Sequence, residues 1–419
     1  MKIQKPKGTF DLLPLDANKR LHIENKLRKI ASLYNYKEIR TPTFEKTELF
    51  KRSIGEETDV VSKEMYSFNK DEFTLKPEMT APVIRSYVEN SLFNESPVQK
   101  LYYISNMYRH ERPQAGRFRE FSQFGVEAIG SDDFLIDAEL ISLGAFMLNE
   151  FGIQNVKIKI NTIGTIEERE IYIDKLKSYL KNHFDKLSVD SKSRYEKNPL
   201  RILDSKDKND TEVLNSAPIL YDYLKDDTKK HFQNVLDALK SCEINYEIDY
   251  KLVRGFDYYT STTFEVVSED LGSQNAIFGG GRYDKLVEQL GGNPTPAIGF
   301  ACGIERLSMI LDKNNYYYPD NDSLTLYLVT MGADTKDYAL KLLYNLRKNG
   351  INCETDFLNR SVKSQMKEAN KMNAKYVIVI GENELVNNKV KLKNMSDGSE
   401  RELELKQLND IANNLKLFD

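Results

Sequence analysis

Ile23, Leu27, Ile30 and Tyr34 recur at helical spacing, which predicts a helix of about five turns after Pro14, with Asp16 as its cap. Residues 38–44 read as a strand interrupted by Pro42, and 51–62 as a charged, glycine-containing loop. Segments 65–68 and 72–75 form a hairpin pattern, and Pro77 starts a turn into a helix near 80–90. An apolar, aromatic run at 101–108 and a strand at 120–129 pair around a basic loop. In the second of these strands Phe121, Gln123, Gly125 and Glu127 alternate, so they share one face. A helix over 137–151 and a strand over 156–162 follow.

The texture then changes. From about 166 to 239 the chain is rich in Lys, Asp and Asn, with helical periodicity at Ile173, Leu176 and Leu180, and reads as a helical insertion. Strand texture returns at 246–253 and 262–267. Gly279–Gly281 precede a helix over 283–290, an apolar run spans 297–302, and a helix spans 303–311. A polar linker at 314–323 leads into alternating elements: strands at 324–330, 353–357 and 376–380, helices at 334–348 and 361–372, and a closing hairpin at 387–394 and 400–405. The expected architecture is mixed α/β, with a first domain over 1–320 that carries the insertion and a separate α/β domain over 324–419.

Composition excludes little. Lys and Arg number 60 against 64 Asp and Glu, for a net charge of −4, so any RNA-binding surface must be a local patch. Cys242, Cys302 and Cys353 stand far apart, without a CxxC pair, so neither a disulfide framework nor a cysteine metal site is expected. Three reduced thiols, no apolar signal core and no run of membrane-spanning length point to the cytoplasm and away from a membrane.

The chemistry concentrates between 108 and 127, where Arg109, Arg112, Arg117 and Arg119 meet Glu111, Gln114, Gln123 and Glu127. So many guanidiniums beside carboxylates suit the binding of a nucleoside triphosphate next to an amino acid. Taken singly, Arg109 reads more readily as half of a surface ion pair with Glu111, Phe121 as a core aromatic, and Tyr258–Tyr259 as half-buried strand aromatics. The triple glycine is not followed by Lys-Ser/Thr, so it is no P-loop, and alone it reads as a turn.

In order along the chain stand KGTFD at 7–11, a segment at 41–68, LKPEMTAP at 75–82, the 108–127 run, VRGFDYYT at 253–260, GGGRYDKL at 279–286 and GFACGIERL at 299–307. Together they resemble the motifs of bacterial-type histidyl-tRNA synthetases, a family of class II aminoacyl-tRNA synthetases, over essentially the whole chain. The resemblance implies an antiparallel class II sheet flanked by helices and an α/β domain of the anticodon-binding type. It implies ligation of L-histidine to tRNA(His) through a histidyl-adenylate, with ATP as substrate, Mg²⁺ as cofactor, and a homodimer. Arg109, Arg254 and Arg306 would be catalytic. Arg109, Glu111, Arg117, Phe121 and Arg306 would hold ATP, with Phe121 and Arg306 on the two adenine faces. Glu78, Thr80, Arg109, Gln123, Glu127, Arg254, Tyr258 and Tyr259 would hold histidine, over a floor of the three glycines.

Arg112 and Gln114 would touch the acceptor end of the tRNA. Lys363, Lys367 and Lys371 repeat at four-residue spacing after Arg360 and would meet its phosphates, although such stripes are also common on solvated faces. Many bacterial relatives carry cysteines around NPLRILD; here Ser188, Ser191 and Ser205 stand near those places, so no metal is expected there. The alternative implied by resemblance is a non-catalytic, histidine-binding regulatory subunit of ATP phosphoribosyltransferase. The insertion's texture suggests a clamp on the acceptor arm, whose deletion would impair charging far more than adenylate formation.

Overall fold

The computed structural model describes residues 2–55, 58–114, 116–271, 275–319, 324–333 and 335–410. The chain divides into two compact units, Met1–Tyr318 and Pro319–Asp419. In the first unit the strands are β1 (Lys37–Glu38), β2 (Phe44–Lys46), β3 (Tyr66–Phe68), β4 (Phe73–Leu75), β5 (Gln99–Tyr108), β6 (Glu120–Ile129), β7 (Lys157–Thr162), β8 (Glu247–Ile248), β9 (Thr260–Val267), β10 (Ala276–Arg282) and β11 (Ala297–Gly303). Among the described residues eight of them form one sheet in the order β1-β5-β6-β11-β10-β9-β7-β8, and β2-β4-β3 form a small second sheet. The large sheet is antiparallel from β5 to β7, with parallel β1 and β8 at its edges.

The helices are α1 (Pro14–Leu33), α2 (Thr47–Ile54), α3 (Thr80–Glu89), α4 (Phe134–Glu150), α5 (Ile166–Lys181), α6 (Val189–Lys197), α7 (Lys208–Leu214), α8 (Asp226–Ser241), α9 (Leu286–Gln289) and α10 (Ile304–Lys313). One sheet face buries Phe124, Val126 and Ala128 of β6 against Ile23 and Leu27 of α1, Leu140 and Met147 of α4, Phe232 and Val235 of α8 and Ile304 and Leu307 of α10. Each such side chain, fully buried, contributes roughly 1.5–3 kcal/mol. The opposite face carries Tyr103, Met107, Tyr258, Tyr259 and Tyr283 and meets Tyr172, Leu176 and Leu180 of α5. The period-2 alternation of β6 thus separates a helix-covered face from a face that carries chemistry.

Several expectations are corrected. Helix α1 starts at Pro14 with Leu13 as an extended cap residue, so Asp16 lies in the first turn, where an acid suits the positive helix end, and is not the cap. Residues 38–44 contain no single strand: β1 ends at Glu38 and β2 starts at Phe44, with Pro42 between them. The first third of the expected 51–62 loop belongs to α2, which buries Leu49, Phe50 and Ile54. The helical segment divides as well: α8 packs its Phe232, Val235, Leu236 and Leu239 in the main core, whereas α5–α7 pack on the site face. Gly279–Gly281 lie inside β10, not in a turn that opens a helix. The 253–259 segment is loop rather than strand, and only β8 remains of the strand expected at 246–253.

In the second unit β12 (Leu326–Thr330), β13 (Cys353–Thr355) and β14 (Tyr376–Ile380) pair in parallel, and β15 (Lys389–Asn394) and β16 (Glu400–Glu404) close the sheet antiparallel. Helices α11 (Thr335–Lys348), α12 (Val362–Lys371), α13 (Glu382–Asn387) and α14 (Leu405–Asp410) complete it; α13 was not foreseen. The linker residues beyond 319 and Asp334 lie outside the described residues. No helix among the described residues is long and apolar enough to cross a membrane.

Candidate functional site

Strand β5 ends at Tyr108, and the ten-residue ladder between β5 and β6 holds the basic loop at the mouth of a cavity of about 680 Å³ on the site face. Glu78, Thr80, Arg109, Glu111, Arg117, Phe121, Gln123, Arg254, Tyr258, Tyr259 and Arg306 all line it. Glu127 lies one layer beneath.

At one end Arg109 donates from Nε to the Pro77 carbonyl at 2.8 Å, and its guanidinium lies 5.2 Å from the Phe121 ring and 5.7 Å from Phe256. A guanidinium held between rings presents its remaining donors in a fixed plane. Arg117 pairs with Glu111 at 3.3 Å. Arg306 donates from Nε to Gly116 at 3.1 Å and from Nη1 to Ala276 at 2.7 Å, which ties the basic loop to β10. Burial, with Arg117 nearby, lowers the Arg306 pKa from its ordinary value. Arg109, Arg117 and Arg306 thus converge at this end of the cavity, beside the acids Glu64 and Glu111, a set of guanidiniums that can receive an anion.

At the other end Glu127 is 1% exposed. It accepts hydrogen bonds from Thr80 Oγ1 at 2.9 Å, from the Tyr283 hydroxyl, and from Tyr103 at 3.5 Å. Burial pushes its carboxyl up to about 8, while the hydrogen bonds from Tyr283 and Thr80 pull the other way. Glu78 is also buried and raised by burial; its two oxygens accept the backbone N–H groups of Thr80 and Ala81, at 2.7 and 2.9 Å, at the start of α3. The rings of Tyr258 and Tyr259 lie 4.6 Å apart, with Tyr283 5.7 Å from Tyr258. Gln123 is half-buried on the same face.

Arg254 sits between these ends. Its Nη1 donates to Glu265 at 2.7 Å, its guanidinium lies 5.9 Å from Tyr259, and its buried Nε has no hydrogen-bond partner among the described residues. A Cβ at Gly279 would lie 2.6 Å from that guanidinium, and one at Gly299 would overlap the Glu127 carboxylate. Glycines here make room for a guanidinium and a carboxyl group that a side chain would crowd.

Sequence reasoning missed Tyr103, Tyr283, Glu64 and Glu265. Tyr103 had a signal: it pairs across the ladder with Gly125, whose missing side chain it fills. Tyr283 lies within a quoted motif but was not singled out. Glu64 lines the cavity, raised by burial and opposed by Arg109. Arg112 and Gln114 are exposed on the basic loop. Lys363, Lys367 and Lys371 are exposed on α12, whose Gln365 and Ala369 are buried. Arg360 is held by Asp356 and, at 2.9 Å, by Glu368.

An antiparallel sheet with buried acids, clustered tyrosines and converging arginines around one cavity is the architecture expected of a class II aminoacyl-tRNA synthetase. Family models match residues 8–307 as histidyl-tRNA synthetase and 325–415 as an anticodon binding domain. The histidine–tRNA ligase of Halothermothrix orenii is 49% identical, with 97% of this chain and 98% of that protein covered. That of Clostridium novyi is 47% identical over 98% of this chain and 99% of the relative. The crystal structure of apo Staphylococcus aureus histidyl-tRNA synthetase superposes with a TM-score of 0.83 at 39% identity, covering 98% of this chain and 99% of that one. The chain belongs to the histidyl-tRNA synthetase family.

Proposed function

We propose that this protein joins L-histidine to tRNA(His) in two steps at the cavity described. The observation that carries the reading is one cavity lined by Arg109, Arg117, Arg254 and Arg306 together with Tyr258 and Tyr259, with the buried acid Glu127 beneath it. In the first step a carboxylate oxygen of histidine attacks the α-phosphorus of ATP in line, and pyrophosphate leaves. Arg109 and Arg254 hold the carboxylate and α-phosphate, so that attack costs little orientation entropy. Arg117 and Arg306 take the outer phosphates, Arg306 exchanging its backbone partners for them. Phe121 covers one adenine face, and Glu111 meets the adenine amino group. In the second step a terminal ribose hydroxyl of the tRNA attacks the adenylate carbonyl, and AMP leaves.

Glu78, Thr80 and Gln123 suit the α-amino group. Tyr258 and Tyr259 flank the ring, over Glu127. Free imidazole titrates near 6.5, so near neutral pH a neutral ring meets a protonated Glu127, and the proton needed for an ion pair is already in the pocket. Among the described residues no group of three or more acidic, histidine or cysteine side chains is placed to cage a metal. That suits a magnesium ion carried mainly by the triphosphate oxygens, where it neutralises phosphate charge.

Arg112, Gln114, Lys363, Lys367 and Lys371 are the proposed RNA contacts, all exposed. Phe44, Phe68 and Phe73 form an aromatic cluster on the small sheet, with Phe44 and Phe68 solvent-exposed, and supports a homodimer. Free thiols at all three cysteines accord with the cytoplasm. Incubation with labelled histidine, ATP and unfractionated tRNA should yield histidine esterified to RNA. Histidine binding with no label on RNA would favour the regulatory-subunit reading instead.

A further inference from the structure

The loop at 253–259 carries Arg254, Tyr258 and Tyr259, yet it belongs to no strand or helix. Its backbone is held from outside. Arg169 of α5 donates to the Tyr259 carbonyl at 2.8 Å. Arg201, on the 3-10 turn Pro199–Ile202, donates to the Arg254 carbonyl at 2.9 Å. Asn198 donates to the Asp257 carboxylate at 3.0 Å. All three donors come from the helical segment between β7 and β8, and all three acceptors lie on the loop.

The turn that carries Arg201 is itself fastened. Asp210, fully buried, accepts from the hydroxyls of Ser188 at 2.7 Å and of Ser191 and Ser205 at 2.6 Å. Ser205 also donates its N–H to the Ile202 carbonyl at 3.0 Å. Three serines around one carboxylate thus brace this part of the segment and support the turn that carries Arg201. Burial lowers the pKa of both Arg169 and Arg201, so these cations are kept at a desolvation cost that two carbonyl contacts help to offset.

We propose that the helical segment is a wall of the amino-acid pocket, and that Arg169, Asn198 and Arg201 are positioning residues that set Arg254, Tyr258 and Tyr259 for histidine activation. The inference rests on the reading of 253–259 as part of the histidine site. The texture of the segment alone predicts that its deletion spares adenylate formation; the three clamps predict that it does not.

The test is histidine-dependent ATP–pyrophosphate exchange, normalised to folded protein, for wild type, Arg201→Ala, Arg201→Lys and Asn198→Ala. Arg201→Ala should raise the KM for histidine by about tenfold or more while the KM for ATP changes less than about twofold. Arg201→Lys keeps one donor and should recover most of the loss. Asn198→Ala removes an exposed contact and should show a smaller rise, which keeps the test readable if Arg201→Ala fails to fold. Histidine and ATP constants that stay at wild-type values while only the thermal midpoint falls would overturn the proposal, as would equal rises in both KM values. No exchange by the wild type would instead overturn the functional reading on which it rests.

Discussion

Replacing Glu127 with glutamine should make the first unit relatively more stable at alkaline pH while it removes the acid from the pocket. Burial raises this carboxyl from 4.5 to about 8. The folded protein therefore keeps it protonated at neutral pH, whereas the unfolded chain ionises it above about pH 4.5. Its contribution to stability is fully present below that value and is lost as pH climbs through about 8. At ~1.36 kcal/mol per pH unit, wild type loses about 4 kcal/mol between pH 5 and 8.5 relative to a side chain that does not titrate. For a unit this large each kcal/mol moves the thermal midpoint by roughly 1–2 °C, so the midpoint of the variant minus that of wild type should rise by roughly 4–8 °C over that range. Any fixed cost of fitting a carboxamide beside Tyr283 and Thr80 cancels in the comparison. With 24 tyrosines and no tryptophan, near-UV circular dichroism follows the transition. A difference that stays constant from pH 5 to 8.5 would refute the reasoning, because Glu127 would then be ionised in the fold.

Three further outcomes are expected. The KM for histidine should be lowest between about 6.5 and 8, where one proton is shared between imidazole and Glu127, and should rise on either side; a flat profile from pH 6 to 9 would mean that the acid does not meet the ring. Gly279→Ala places a Cβ 2.6 Å from the Arg254 guanidinium and should slow exchange by about a hundredfold; wild-type exchange would show that Arg254 need not stay where it is. Charge reversal at Lys367 and Lys371, both exposed, should raise the tRNA KM by about tenfold without slowing adenylate formation; an unchanged KM would remove the stripe from the RNA surface.

The elements with strong local periodicity were legible in the chain. The alternation in β6 and its pairing with β5 follow from side-chain spacing alone, as does the run of Ile23, Leu27 and Ile30 in α1. What was not legible depends on contacts distant in sequence. The loop at 253–259 is held by Arg169, Asn198 and Arg201, which no local pattern connects to it. The glycines of β10 read as a turn because their use is to clear space for Arg254 and to let β11 approach closely. Helix α8 shares its polar texture with α5–α7, and only its packing partner, α4, separates it from them. Tyr283 belongs to the site through its hydroxyl, which donates to the buried Glu127, a partner far away in sequence.

The central claim is that this cavity activates histidine and relies on Arg254. The most direct measurement is ATP–pyrophosphate exchange with each of the twenty amino acids in turn, for wild type and for Arg254→Ala. The account predicts exchange with histidine alone, lost in the variant by a factor of about 100 or more. Exchange driven by another amino acid, or histidine-dependent exchange that survives in Arg254→Ala, would contradict it.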